Sequence, residues 1–487
     1  MSHAIPIQLR VVQRVVGALL TLFSLSMLTP VLIGLLYGDG AVVPFLGGFV
    51  ATAGTGLLLF VPARNEREQL RLRDGFVVVT LFWAVLGIFG GLPLWLYSPL
   101  ELSVAASIFE SMSGLTTTGA TLIVGLDQLP HSILFYRQQM QWFGGMGIIV
   151  LAVAVLPMLG IGGQQLFRAE TPGISKDKLT PRIAQTAKAL WYIYLGLTLA
   201  CALAYFLAGM GLFDAVTHSF STVAIGGFST HDNSIGHFDS NAIEMIATFF
   251  MIVSGANFSL HFVAARSLDT TPYREDEEFR TYLWLMGALT VITAGYLYFA
   301  GTSGAKDSFV NGLFHVVSIG TTTGFTSEAY FEWPTFLPVL LLFASFIGGC
   351  TGSTAGGMKV LRVLLLVKQG QRELRRLLHP NAKIMVKVGG KAMSNPMIDV
   401  VWGFFAAYVF LLTVMLLLLM AAGLDQESAF SAVVACLNNL GPGLGVVAAN
   451  YSSLGDFELS VLSVAMLFGR LEIFTLLVLF TPAFWRH

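Results

Sequence analysis

The sequence predicts an all-α polytopic membrane protein, in which an N-terminal helix pair precedes four helix, re-entrant loop, helix repeats set around one pseudo-fourfold axis. Three observations predict it. The 487 residues are 55% apolar and only 11% charged, with a mean hydropathy of +0.74, whereas a soluble domain carries roughly 25% charge. Apolar runs of the length needed to cross a hydrocarbon core recur along the whole chain. Four similar glycine-ended tetrapeptides fall at nearly even intervals.

The first two runs, near 15–36 and 41–61, form the N-terminal pair. Arg10 and Arg14 precede the first run and no small-residue cleavage site follows, so it reads as an uncleaved helix rather than a signal peptide. Eight further runs lie near 75–97, 142–162, 189–209, 242–265, 281–300, 335–347, 400–422 and 459–481. They pair off into repeats, giving units at 1–68, 69–175, 176–272, 273–391 and 392–487. The run at 335–347 is short and leads into glycine-rich sequence, which predicts a broken crossing.

Basic residues gather in alternate connections, and positive segments stay on the cytoplasmic side. Of the 27 lysines and arginines, all but Arg137, Lys306 and Arg470 fall on one side. Arg137 and Lys306 are assigned to outer connections, and Arg470 sits inside an apolar run. Both termini of this multi-pass protein are therefore expected in the cytoplasm.

The four tetrapeptides are Thr116-Thr117-Thr118-Gly119, Ala224-Ile225-Gly226-Gly227, Thr321-Thr322-Thr323-Gly324 and Asn438-Asn439-Leu440-Gly441. Their glycines are 108, 97 and 117 residues apart. Ahead of each lies a short segment, at 102–114, 212–222, 307–319 and 426–437, too short to span and so read as a re-entrant half-helix. Irregular backbone at that depth is tolerated only where it lines a wet cavity. One such tetrapeptide could be a helix-packing motif of small residues, but four at equivalent places are not explained by packing.

Threonine and glycine in extended backbone can turn carbonyl oxygens inward to replace the water shell of a cation, and glycine permits the left-handed conformations this requires. The half-helices aim partially negative C-termini at the cavity below. No acidic ring accompanies the tetrapeptides, so a monovalent cation is expected rather than a divalent one. The repeats thus read as M1–pore loop–M2 units around a pore.

Glu110, Asp214 and Glu244 lie in or near membrane segments, either as functional groups or as caps and polar contacts of the bundle. His218, His261 and His315 share no metal-ligand spacing and read as satisfied polar residues. Cys201, Cys350 and Cys436 show neither disulfide nor zinc spacing. No catalytic constellation is present, which argues against an enzyme.

Within the third repeat, Gly348-Gly349-Cys350-Thr351-Gly352-Ser353-Thr354-Ala355-Gly356-Gly357 contains no large residue. A continuous helix is not expected there. It reads as a movable gate under the tetrapeptides, or alternatively as a tight helix crossing. Arg470 is expected to face the pore and set the inner barrier. Pairing with Glu472 is disfavoured, because residues two apart on a helix point in different directions.

With these four loops, the glycine-rich break and Arg470, the whole chain resembles the TrkH family, the membrane subunits of bacterial Trk potassium-uptake systems. The wider superfamily includes KtrB and plant HKT proteins. The resemblance implies that the carbonyls preceding Gly119, Gly227, Gly324 and Gly441 bind potassium, that 348–357 is the gating loop and that Arg470 is the pore arginine. The AIGG and NNLG loops, the latter followed by Pro442, depart from TTTG, so the fourfold symmetry is approximate. The resemblance also implies a homodimer with a cytoplasmic ring of TrkA-like RCK subunits that bind NAD and ATP or ADP.

No G-x-G-x-x-G follows a predicted strand and no Walker sequence occurs, so no cofactor is expected on this chain itself. The resemblance implies potassium as its cargo, lipid is expected around it, and no nucleic-acid partner is expected. The basic segment from Lys368 to Lys391, with Arg372, Arg375 and Arg376, reads either as a docking surface or as a positive loop on anionic lipid. The rival to a channel-like pore is a proton- or sodium-coupled potassium symporter. Such transporters usually show inverted repeats with helices broken at mid-membrane, whereas these four repeats all enter from one side.

Overall fold

A computed structural model describes residues 8–66, 68, 71–150, 179–302 and 304–486. Arg67, Arg168, Lys176, Lys178 and the second half of the run at 142–162 lie outside them. Among the described residues, six helices are long and apolar enough to span a membrane: Leu9–Tyr37, Val42–Ala63, Arg73–Leu96, Thr186–Leu207, Glu277–Phe299 and Asn395–Ala421. Two bent helix pairs bring the number to eight if each is taken as one span: Asn241–Ser254 with Phe258–Ser267 at 91° and Asp456–Arg470 with Phe474–Phe480 at 109°.

Of the other two expected crossings, one is broken as predicted and one is displaced. Phe336–Ala344 has only nine residues before regular helix stops, as the glycines after it require. His131–Val150 begins eleven residues ahead of the apolar run at 142, because its first turns carry polar side chains that face protein rather than lipid. Arg137, assigned above to an outer connection, is therefore inside a helix and fully buried. Lys306 falls in the exposed first turn of a half-helix.

The four half-helices are Val104–Leu115, Leu212–Ala224, Ala305–Gly320 and Gln426–Leu437. Polar groups suited to a helix N-terminus start each of them. Ser103 Oγ accepts from Ala106 N–H and Asp425 Oδ2 from Ser428 N–H, while Asp214 and Asp307 stand in the first turns of the other two. Their C-terminal halves are buried apart from partly buried Phe220 and Leu313, whereas the long helices expose Leu36, Leu58, Phe299 and Leu417. The half-helices are thus innermost, and the long helices screen them from lipid.

Past the broken third-repeat helix, Val360–Leu378 carries an apolar face onto Asn395–Ala421, with Leu361, Leu365, Ile398 and Val401 in one cluster. A small antiparallel hairpin, Lys387–Val388 with Lys391–Ala392, follows it and was not anticipated. Lys368 Nζ bonds both Glu277 and the Lys387 carbonyl, and Gly389 N–H donates to Glu277, so the hairpin is tied to the start of the third repeat. Arg372 is buried against Asn395, so it cannot serve a docking surface; Arg375 and Arg376 are exposed.

Candidate functional site: a ring of four loops and the plug beneath it

Each half-helix ends in the same turn. Thr117, Ile225, Thr322 and Asn439 take left-handed φ values of 53°, 55°, 69° and 54°, a conformation costing about 1–2 kcal/mol for a residue with a side chain. Their N–H groups donate back to Gly114, Thr222, Ile319 and Cys436, and the next N–H of each loop donates to Ser113, Ser221, Ser318 and Ala435. This double bond pattern closes a helix C-terminus by using its orphan carbonyls. One residue later come Gly119, Gly227, Gly324 and Gly441, again left-handed, at 82°, 78°, 84° and 101°.

The glycines mesh in a cycle. A methyl group added at Gly119 would overlap the carbonyl oxygen of Gly226; one at Gly227, that of Thr323; and one at Gly324, that of Leu440. One at Gly441 would lie 2.7 Å from that of Thr118, which closes the circuit. The four predicted loops therefore meet in one ring with the order 1, 2, 3, 4. Only glycine permits so close an approach of backbones.

Above the ring each junction is tied. Arg137 Nε donates to Glu110 Oε1 at 2.8 Å and Nη1 to the Ser229 carbonyl at 3.2 Å, joining repeats 1 and 2. Thr121 and the Leu122 N–H satisfy the rest of the Glu110 carboxylate, and the guanidinium lies 4.3 Å over the Phe228 ring. Gly236 N–H donates to the Thr326 carbonyl between repeats 2 and 3, Tyr330 OH to that of Gly443 between 3 and 4, and Tyr451 N–H to that of Thr121 between 4 and 1. These loops line an outer cavity of about 430 Å³ whose floor is the four glycines and whose wall includes His231, Asp232 and Glu328.

Beneath the ring lies the glycine-rich segment. Gly356 N–H donates to Thr322 Oγ1 at 2.7 Å, Gly357 N–H to the Asn438 carbonyl at 2.9 Å, and Thr354 Oγ1 to the Val223 carbonyl at 3.0 Å. The segment is thus seated against the undersides of repeats 2, 3 and 4. A methyl group at Gly356 would overlap the Asn438 oxygen. From below, Arg470 Nη1 donates to the Thr354 carbonyl at 3.1 Å, while its Nε and Nη2 are buried with no hydrogen-bond partner. Arg470 ends its helix at the 109° bend, so the argument from a continuous helix does not apply. Glu472 is nonetheless taken elsewhere, by Arg362 at 2.7 Å.

Sequence reasoning missed several supports of this site. Glu278 Oε1 accepts from Thr351 N–H at 2.6 Å and Leu361 N–H at 3.2 Å, tying the plug to the start of the helix that follows it. Glu278 stands in the acidic string Asp276-Glu277-Glu278, and only its position at the start of a crossing sets it apart. The break at 255–257 in the second inner helix receives the plug: Cys350 N–H donates to the Gly255 carbonyl and Phe258 N–H to that of Gly352. Gln141 clasps the second loop, its amide donating to the Gly226 oxygen at 2.6 Å and accepting from Phe228 N–H at 3.1 Å. A glutamine among the polar residues just ahead of the apolar run at 142 was the available signal. Of the flagged residues, Glu110 pairs with Arg137. His218 bonds the Asp214 carbonyl and Ser229, His261 bonds Tyr273 and the Val253 carbonyl, and His315 bonds the Asn311 carbonyl and Ser327 N–H. All three histidines are satisfied polar residues, as expected.

Known proteins share this arrangement. The family model described as "TrkH: Cation transport protein" matches residues 42–487. The "Trk system potassium uptake protein TrkH" of Vibrio parahaemolyticus is 57% identical over 98% of this chain and 100% of its own length. That of Escherichia coli K12 is 54% identical over 98% and 99%. The crystal structure of the potassium transporter TrkH from Vibrio parahaemolyticus superposes with a TM-score of 0.92 at 55% identity, covering 98% of this chain and all of that one. With likeness of that extent in both sequence and fold, this chain belongs to the TrkH family of cation transport proteins.

Proposed function

We propose that the chain takes up potassium across the bacterial inner membrane through the ring of four loops, acting as a transporter and not as an enzyme. The observation that carries this is the closed cycle from Gly119 through Gly227 and Gly324 to Gly441, each glycine against a carbonyl of the next loop. Backbone oxygens held on one axis can stand in for the hydration shell of a dehydrated monovalent cation. The relatives named as potassium uptake proteins make potassium the cation of choice. Purified protein in liposomes tests it: flux of potassium exceeding that of sodium supports the proposal, and equal flux of the two overturns it.

The plug from Gly348 to Gly357 is the gate of this pore, and Arg470 is its latch. Support comes from the hydrogen bonds that seat the segment under repeats 2, 3 and 4 and from the Arg470 bond to Thr354. Opening requires the plug to leave those partners. Arg470→Ala removes the bond and a buried positive charge, and Gly356→Ala denies the plug its seat. Both variants raise potassium flux severalfold; equal or lower flux from folded protein overturns the gate assignment.

A homodimer served by TrkA-like RCK subunits carrying NAD or ATP/ADP belongs to the same proposal, and rests on the family likeness. Exposed Arg375 and Arg376, with exposed Leu374, Leu377 and Leu378 beside them, suit the cytoplasmic contact. Both termini lie in the cytoplasm under this proposal, which follows from the basic connections.

A further inference from the structure

We infer that the outer mouth holds a binding site for a transition-metal dication of the zinc class, built from Asp127, His231 and His237. These residues come from two repeats. Asp127 lies in the short turn Leu126–Gln128 of repeat 1, His231 follows the second loop of the ring, and His237 lies in the turn Ser234–Phe238. One ligand atom from each falls within 4.8 Å of the others. His231 Nδ1 already meets Asp127 Oδ1, and His237 Nδ1 is 3.9 Å from the same oxygen.

Three further features distinguish the cluster from a chance meeting of surface charges. The two imidazoles stack face to face, with centroids 3.4 Å apart and planes 2° from parallel. His231 Nε2 is buried without a hydrogen-bond partner, 3.6 Å from Asp214 Oδ1, and Thr230 Oγ1 donates to that same oxygen at 2.7 Å. A carboxylate behind the far nitrogen is the arrangement that orients a metal-bound histidine.

The backbone is also fixed beforehand. Asp232 accepts from the N–H groups of Gly125 and Leu126, and Gly236 and Ser234 are tied to Thr326. Imidazole and carboxylate together suit zinc and its neighbours rather than calcium or magnesium. Tetrahedral bonds of about 2.0–2.1 Å need ligand atoms roughly 3.4 Å apart. The half-exposed His237 ring can reach this by turning about its own side-chain bonds, leaving a fourth position to water.

His231 lines the same cavity as the ring glycines. A dication held there adds positive charge to the mouth and slows cation entry. The slowing rests on the potassium proposal above; the binding of metal does not.

The test uses full-length, tag-free protein and zinc chloride. Titration calorimetry is expected to show one zinc site per chain, weakened at least tenfold by His237→Ala and by Asp127→Asn and unchanged by His379→Ala on the opposite side. Equal affinity in all four proteins, or no binding, overturns the site. In right-side-out membranes, external zinc is expected to slow potassium flux severalfold in the parent and not in His237→Ala. Zinc bound at the site with unaltered flux overturns the inhibitory role alone, so a failure of this arm is separable from a failure of the potassium proposal.

Discussion

Repeats 1 and 3 carry TTTG and repeats 2 and 4 carry AIGG and NNLG, yet the four backbones make the same turn. In the threonine loops the brace is internal: Thr116 Oγ1 meets Thr118 Oγ1 at 2.7 Å, and Thr321 Oγ1 meets Thr323 Oγ1 at 2.8 Å. In the other two it comes from outside. Gln141 clasps the second loop, and in the fourth Tyr408 OH donates to Asn438, while the Asn439 amide donates to Thr118 and to the Met466 carbonyl. The difference teaches that the glycine and the left-handed residue two before it define the ring, whereas the threonine hydroxyls hold a loop in shape. Chemically unlike side chains serve because the cation is met by main chain.

The sharpest way to break that view is at the glycines. Alanine at 119, 227 or 324 combines a left-handed φ, costing about 1–2 kcal/mol, with overlap onto the neighbouring carbonyl. Each of the three is expected to lower potassium over sodium discrimination at least about tenfold, equivalent to about 1.4 kcal/mol. Gly227→Ala should be as damaging as Gly119→Ala, although it sits in AIGG. Gly441→Ala should be mildest, because its nearest carbonyl oxygen stands off at 2.7 Å. Flux measured with each ion checks this; a selectivity loss confined to the two TTTG loops would mean that threonine matters more than the backbone.

The second-largest effect concerns the tie between unlike loops. Arg137→Met leaves Glu110 charged and fully buried, and breaking a buried pair in this way costs about 3–5 kcal/mol. Removing both partners, as Glu110→Leu with Arg137→Met, should cost clearly less than the arginine change alone. Thermal unfolding in detergent reads both. A double variant no more stable than the single one would show that the pair acts through its separate hydrogen bonds rather than its charge.

How much of this was legible beforehand depends on whether a feature is local. The four half-helices, their glycines and the break after Ala344 lie within short stretches of sequence, and each was read within a few residues of its place. Arg137 was misplaced because apolar runs mark where lipid faces a helix, and the first turns of His131–Val150 face protein. Glu278 and Gln141 escaped notice because each acts on a partner far along the chain, and nothing local to either residue reports that partner. The bends at 255–257 and 471–473 lie inside long apolar runs, which conceal them.

The smallest effects separate brace from ligand. Gln141→Leu strips a partner from both the Gly226 oxygen and the Phe228 N–H, buried groups whose loss costs about 1–3 kcal/mol. Thr323→Val keeps the shape of its side chain and removes only a hydroxyl bond, about 0.5–1.5 kcal/mol. If hydroxyls only brace, Gln141→Leu should reduce ion discrimination more than Thr323→Val, even though the glutamine lies outside every one of the four loops. If instead the Thr323 hydroxyl meets the ion, Thr323→Val should approach Gly324→Ala in its loss of selectivity while Gln141→Leu changes stability alone. Parallel flux ratios for the three variants decide between the two, since thermal stability ranks them the same way in either case.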